Sequence, residues 1–117
     1  MDVDGVKAIF LLQPEVLTSQ KRLTDSERMM LQDELTMPGR TYCFQRLFPE
    51  ISARMTVEAQ RQGFAFVDLS DAFDESLEQT FSDDAHMTPE GNRIISEQLF
   101  WILKDIFADK TDITGAL

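Results

Sequence analysis

The sequence predicts an α/β fold in which two parallel strands are joined by helices. Residues 6–12 and 64–69 are short and almost continuously apolar, as strands buried on both faces of a parallel sheet are. Between them, residues 24–62 carry apolar side chains at three- and four-residue steps, which indicates helices. A helical connection between two such strands favours parallel pairing, and functional residues in such sheets gather beyond the carboxyl ends of the strands.

The first strand and the first helix have clear sequence boundaries. Pro14 lacks a backbone N–H, so it marks the end of strand 6–12. After a connection at 15–23, Thr24 and Glu27 have the spacing of a capping box, and residues 28–35 are expected to form a short helix. Pro38-Gly39 is expected to end that helix. The side chains expected to face inward are Met30, Leu31 and Leu35.

The next helical stretch spans Tyr42–Gln62 and contains a proline. Pro49 either starts a new helix at its first position or kinks a longer one. We favour a break near Phe48, a main helix over 49–62 and a cap at Gly63. The apolar residues that recur at three- and four-residue steps are Phe44, Leu47, Phe48, Ile51, Met55 and Ala59.

The last helix carries the strongest helical pattern. Residues 70–79 form a polar connection with a short helical turn, and Thr88 followed by Pro89 marks a helix start. The helix then runs over 91–107, and residues 109–117 are expected to be a flexible polar tail. Its apolar stripe consists of Ile94, Ile95, Leu99, Ile102, Leu103 and Ile106.

Composition excludes several classes of partner. The 117 residues suit one domain, and a net charge of −10 argues against nucleic acids and anionic membrane surfaces. No apolar segment approaches the roughly 20 residues that span a bilayer, and the acidic start at Asp2 is atypical of a signal peptide. Cys43 is the only cysteine, so it has no intramolecular disulfide partner and is expected to fill space in or near the core.

His86 is the only histidine and therefore the first candidate for acid–base chemistry near neutral pH. Asp83 lies three residues before it, on the connection that follows the second strand. A carboxylate there could accept a hydrogen bond from one ring nitrogen and leave the other to take a proton from a nucleophile. From residue types alone, a single histidine before a helix is more often a surface or capping residue than a catalytic one.

The segment Asp83-x-x-His86-x-Thr88-x-x-Gly91-Asn92 resembles the last sequence block of the SGNH/GDSL hydrolases. The resemblance implies His86 as general base, Asp83 as the residue that orients it, and carboxylic (acyl or acetyl) esters of small molecules, carbohydrates or lipids as substrates, without a cofactor. It also implies a partial three-layer α/β/α, flavodoxin-like sandwich that holds only the last two strands and their flanking helices. The chain would then be the C-terminal portion of a domain truncated at its start, so its N-terminus leaves the localisation of a longer parent open.

The sequence departs from that family at the nucleophile. It has no Gly-Asp-Ser motif and no Gly-x-Asn-Asp block, so the oxyanion donors are unassigned. Ser70 and Ser82 are weak replacements, because Ser82 adjoins Asp83 and neither has the family context. We therefore expect the isolated chain to be inactive. The alternative is a catalytically inactive remnant or an interaction fragment that associates through the open edge of its sheet.

An acidic metal site is a further interpretation of the same region. It would draw on Asp68, Asp71, Asp74, Asp83, Asp84 and His86. These residues lack the spacing of a calcium loop, and one histidine is a poor zinc donor set, so a solvated acidic loop is favoured and no metal is expected. Asp84 in particular is expected to be a solvated neighbour of the Asp–His pair.

Overall fold

The computed structural model of this chain describes residues 2–3 and 5–108. The predicted tail at 109–117 lies outside the described residues. The strands are β1 (Asp2–Val3), β2 (Val6–Lys7), β3 (Ile9–Leu12) and β4 (Ala65–Asp68). The helices are α1 (Asp25–Leu35), α2 (Pro38–Tyr42), a π-helical turn (Cys43–Leu47), α3 (Phe48–Gln62) and α4 (Pro89–Ala108).

Strands β3 and β4 pair in parallel, which confirms the predicted α/β character. Their register aligns Ile9 with Ala65 and Leu12 with Asp68, and the N–H of Leu69 extends the pairing by donating to the Leu12 carbonyl at 2.8 Å. The prediction of one strand over 6–12 is wrong at its start. Residues 6–7 instead pair antiparallel with β1 around a turn at Gly5, whose φ of 80° suits glycine.

Helix α1 begins as the capping box predicts. The N–H of Glu27 donates to Thr24 Oγ1 at 3.3 Å, and the Glu27 carboxylate accepts from the Thr24 N–H at 3.0 Å. The predicted end of this helix at Leu35 is confirmed. Pro38, expected to stop it, instead occupies the start of α2, where its missing N–H costs nothing. Leu35, expected to face inward, is 49% exposed because α1 buries its other face.

The predicted break near Phe48 is also wrong, because the helical path from Pro38 to Gln62 is continuous. The N–H of Phe48 bonds the Cys43 carbonyl five residues earlier, so one wider π-helical turn precedes Pro49. A wider turn accommodates a residue that has no N–H and whose ring crowds the preceding turn. Gly63 caps α3 as predicted, in the left-handed conformation at φ 76°.

The core lies beneath the loops that follow the carboxyl ends of β3 and β4. Phe73 and Phe81 are fully buried there and pack edge to face, with ring centroids 5.2 Å apart. The buried apolar cluster consists of Val16, Leu17, Leu69, Ala72, Phe73 and Phe81. Three of the partly buried apolar residues of α4 that pack on this cluster are Ile94, Ile95 and Leu99. The loops at this edge of the sheet are therefore held in place by packing on the buried apolar cluster.

The outer face of α4 is apolar as well. Side chains between 38% and 59% exposed lie on its second half, namely Phe100, Trp101, Leu103 and Phe107. Cys43 is half-buried, in keeping with its expected packing role. Among the described residues, none of the helices is long and apolar enough to cross a membrane.

Candidate active site

Residues 80–88, which we call the His86 loop, form a narrow hairpin-like loop closed on itself. Phe81 and Met87 form an antiparallel bridge. The N–H of Ser82 donates to the His86 carbonyl at 2.9 Å, and the N–H of Thr88 donates to the Thr80 carbonyl at 2.9 Å. These bonds place Asp83 and His86 at the exposed tip of a loop whose base is buried.

The structure brings Asp83 and His86 together as the sequence predicts. Nδ1 of His86 lies 2.8 Å from Oδ2 and 3.0 Å from Oδ1 of Asp83. Oδ1 also accepts the backbone N–H groups of His86, at 2.7 Å, and of Ala85, at 3.0 Å. The aspartate thus shapes the turn and holds the ring, which leaves Nε2 as the nitrogen that faces away from Asp83.

The contact between Asp83 and His86 lowers the pKa of the aspartate and raises the pKa of the histidine, which suits a histidine that acts as a general base. Backbone hydrogen bonds from His86 and Ala85, with the bond from the imidazole, lower the pKa of Asp83 to about 2. The hydrogen bond and the charge of Asp83 raise the pKa of His86 above its ordinary value. The imidazole is 83% exposed, so a reactant could reach it directly.

Glu27 anchors the base of the His86 loop from below. Its carboxylate is fully buried and accepts the N–H and the hydroxyl of Thr80, at 3.0 and 3.1 Å, and the N–H of Phe81, at 3.1 Å. Lys21 Nζ lies 2.5 Å from its other oxygen, and both side chains are shielded from solvent. Burial favours the neutral acid, but the bonds from Lys21, Thr24, Thr80 and Phe81 outweigh it and lower the pKa of Glu27 to about 2.

The segment after β3 holds the loop from the side. The N–H of Val16 donates to the Asp84 carbonyl at 3.0 Å, and the side-chain amide of Gln13 donates to the Ala85 carbonyl at 3.3 Å. Arg40, from α2, forms ion pairs with Asp84 and with the buried Glu34, the latter at 2.7 Å. The expectation that Asp84 is merely solvated is therefore wrong, since it ties the loop to two other segments.

The start of α4 completes the site from the carboxyl side of the loop. Thr88 Oγ1 accepts the N–H of Gly91 at 3.1 Å and donates to the Gln79 carbonyl at 2.7 Å, so it caps the helix as predicted. Gly91 is buried, and a Cβ there would overlap the Thr80 carbonyl and lie 3.0 Å from Met87 Cβ. A glycine lets α4 pack directly against the base of the loop.

A nucleophile is not placed beside His86 among the described residues. Ser82 donates its backbone N–H to His86, and no hydrogen bond between its hydroxyl and the imidazole occurs among the described residues. Ser70 and Ser52 are instead held by Asp68 at the end of β4: the Ser52 hydroxyl donates to it at 2.6 Å and the Ser70 N–H at 2.8 Å. A cavity of about 360 Å³ lies at this edge and is lined by Asp68 and Ser70, whereas His86 and Asp83 do not line it.

The acidic residues considered for a metal site are dispersed. Asp68 is engaged with serines, Asp74 accepts the Gln20 N–H at 3.1 Å, and Asp83 is bonded to His86. The carboxylates that the fold does gather are Glu15, Glu34 and Asp84, of which sequence analysis singled out only the last. Burial, with the nearby charges of Glu34 and Asp84, raises the pKa of Glu15 to about 7.

Four residues beside the loop could not be identified from the sequence: Gln13, Glu27 and Arg40, which bond to it, and Glu15, which adjoins Asp84. The capping box identified Glu27 only as a local helix signal, and its bonds to residues 80 and 81 span more than fifty positions. The other three carry no local pattern.

Comparisons with protein-family models, with curated proteins and with solved structures give no match.

Proposed function

We propose that this chain supplies the Asp–His part of a serine ester hydrolase that acts on acyl or acetyl esters. The observation that carries the proposal is the 2.8 Å contact between His86 Nδ1 and the Asp83 carboxylate, with the imidazole open to solvent. The resemblance of the 83–92 segment to the SGNH/GDSL block supplies the reaction class. The parent domain would be a three-layer, flavodoxin-like sandwich, in which β3 and β4 are the last two strands.

Each residue then has a defined role. Asp83 accepts a hydrogen bond from Nδ1–H and so selects the tautomer whose Nε2 has a free lone pair. Nε2 takes the proton of a serine hydroxyl as the serine oxygen attacks the ester carbonyl, and it returns that proton to the departing alcohol. Water then cleaves the acyl-enzyme by the same route. The serine and the oxyanion donors come from a segment beyond these 117 residues.

An NMR titration tests the pair directly, because His86 is the only histidine and its signals need no assignment. We expect a pKa above that of a free histidine and, above this pKa, ¹⁵N shifts of the Nδ1–H tautomer. Asp83→Asn keeps an oxygen for the two backbone N–H groups but turns an amide toward the ring, so the tautomer should reverse and the pKa should fall. Asp71→Asn, an exposed change on another loop, is the control. An ordinary pKa in the unmodified chain would remove the basis of the proposal.

Activity tests address the complete enzyme. The purified chain should remain unlabelled by a fluorophosphonate probe, since no serine in the part of the chain that the structure describes is hydrogen-bonded to the imidazole of His86. A Gly-Asp-Ser motif should be encoded upstream of Met1, and a protein that joins that segment to this chain should hydrolyse short aryl esters. His86→Ala in that protein should abolish turnover. Near-normal turnover in this variant, or labelling of the isolated chain that depends on His86, would contradict the assignment.

Exposed apolar surface favours a second candidate, an inactive interaction fragment. Within the described part of the chain, β3 and β4 pair only with each other, and Phe10 and Leu11 of β3 are 43% and 42% exposed. The apolar outer face of α4 adds to this surface. This candidate predicts concentration-dependent self-association in analytical ultracentrifugation, reduced by Phe100→Asp. A monomer at every concentration would argue against self-association.

A further inference from the structure

A buried acidic cluster lies beside the His86 loop, built from three separate segments of the chain. Glu15 follows β3, Glu34 lies near the end of α1, and Asp84 belongs to the His86 loop. One oxygen from each lies within 4.8 Å of the others. We propose that Glu15, Glu34 and Asp84 form a binding site for one hard divalent cation, such as Ca²⁺, Mn²⁺ or Mg²⁺.

The net negative charge of the cluster favours binding of such an ion. When all three carboxylates are ionised they bring three negative charges, and Arg40 supplies one positive charge through its ion pairs with Glu34 and Asp84. Two negative charges remain, which a divalent cation would neutralise. The shortest contacts of Arg40 are with Oε2 of Glu34 and Oδ2 of Asp84, so a metal would be bound through Oε1 of Glu34 and Oδ1 of Asp84.

Glu15 provides an independent indication of a missing partner. It is only 1% exposed, and its Oε2 accepts the N–H of Leu17 at 2.7 Å. Its Oε1 is buried and has no hydrogen-bond partner among the described residues. A buried, unpaired carboxylate oxygen is costly, and an ion bound to it would remove that cost.

The donor set selects the class of metal. All three donors are carboxylates, which hard cations prefer, and within the described residues the cluster contains no histidine or cysteine of the kind that zinc favours. Asp84 retains 29% of its side-chain exposure, so the ion could enter on that side and keep water ligands there. Bound at this place, the cation would join α1, the segment after β3 and the His86 loop.

Calorimetric titration of the full chain tests the site. The protein is first treated with EDTA and dialysed, and CaCl₂, MnCl₂ and MgCl₂ are then titrated separately at moderate salt. We expect saturable binding of one ion per chain for at least one of these metals, with a rise in Tm at saturation. Glu15→Gln, which keeps the shape of the side chain, should weaken binding by at least roughly tenfold, since ligand charge sets affinity in such sites.

A matched control separates a built site from the general attraction of an acidic protein. Asp33→Asn removes the same charge at an exposed position next to Glu34 and should leave binding within about twofold. Absence of saturable binding in the unmodified chain would overturn the proposal, whatever the variants do. Equal binding by the unmodified chain and Glu15→Gln would overturn it too, as would equal losses in Glu15→Gln and Asp33→Asn.

Discussion

Replacing Glu27 by glutamine should cost more stability than any exposed charge change in this chain. Its carboxylate accepts five hydrogen bonds: from Lys21, from the Thr24 N–H, from the N–H and hydroxyl of Thr80, and from the Phe81 N–H. A glutamine has one acceptor oxygen and would turn an NH₂ group toward other donors. It would also leave the Lys21 ammonium buried without its counter-ion, which in other proteins costs about 3–5 kcal/mol.

The pKa of Glu27 supports the same magnitude by an independent route. It falls from 4.5 to about 2 on folding, and a difference of about 2.5 pH units corresponds to about 3 kcal/mol. Because the folded pKa is the lower one, this stability is fully present above pH 4.5 and is lost as the pH falls from about 4.5 through 2. Glu27→Gln should therefore be less stable at pH 7 and less sensitive to acid over that range.

Urea unfolding followed by circular dichroism measures both effects. We expect Glu27→Gln to lower the free energy of unfolding at pH 7 by about 3 kcal/mol. Glu58→Gln, which removes the exposed partner of Arg61, should change it by less than about 1 kcal/mol. A loss below about 1 kcal/mol in Glu27→Gln, or parallel acid sensitivity in both proteins, would refute this account of the Glu27 carboxylate.

Three further predictions concern the surroundings of the His86 loop. Gly91→Ala should destabilise the protein by about 1–3 kcal/mol and shift the His86 NMR signals, because the added Cβ overlaps the Thr80 carbonyl. The control is Gly39→Ala in α2, whose added Cβ meets no atom within 4 Å. It should be neutral or stabilising in thermal unfolding. Thr88→Ala should cost about 1–2 kcal/mol in urea unfolding through loss of the α4 cap, and Thr88→Ser should retain most of that stability; equal losses would argue against the cap. Burial raises the pKa of Glu15 to about 7, so the stability linked to its protonation is present below pH 4.5 and lost as the pH rises through 7. With EDTA present, Glu15→Gln should therefore be more stable than the unmodified chain at pH 8, by up to about 3 kcal/mol, but not at pH 5, and urea unfolding at the two pH values checks this.

The errors in the predicted fold share one cause, which is that local signals do not reveal how chain segments connect. The sequence pattern places a helix end at Pro38 and a break just before Pro49, yet both prolines lie at the start of α-helical segments within one continuous helical path from Pro38 to Gln62. A proline lacks one donor whether it ends a helix or begins one, so the sequence is compatible with both. Residues 6–7 have strand composition in either case, and only the turn at Gly5 assigns them to the hairpin with β1.

What the sequence by itself determined is local in the chain. The apolar runs that form β3 and β4 are local, whereas their parallel pairing was inferred from the helical connection between them. The capping box at Thr24, the start of α4 at Thr88-Pro89 and the Asp83–His86 contact follow from residue types within a few positions of one another. Short-range hydrogen bonds decide these features, and their partners can be identified from spacing alone.

Only the tertiary structure decided what surrounds the Asp–His pair. The residues that bond to the His86 loop, namely Gln13, Val16, Glu27 and Arg40, lie between 44 and 72 positions along the chain from the residues they contact. No periodicity relates residues so far apart, because their contacts form only when the loops after β3 and β4 close over the same buried core. The pair was therefore visible in the sequence, whereas the buried charges that support it became visible only in the fold.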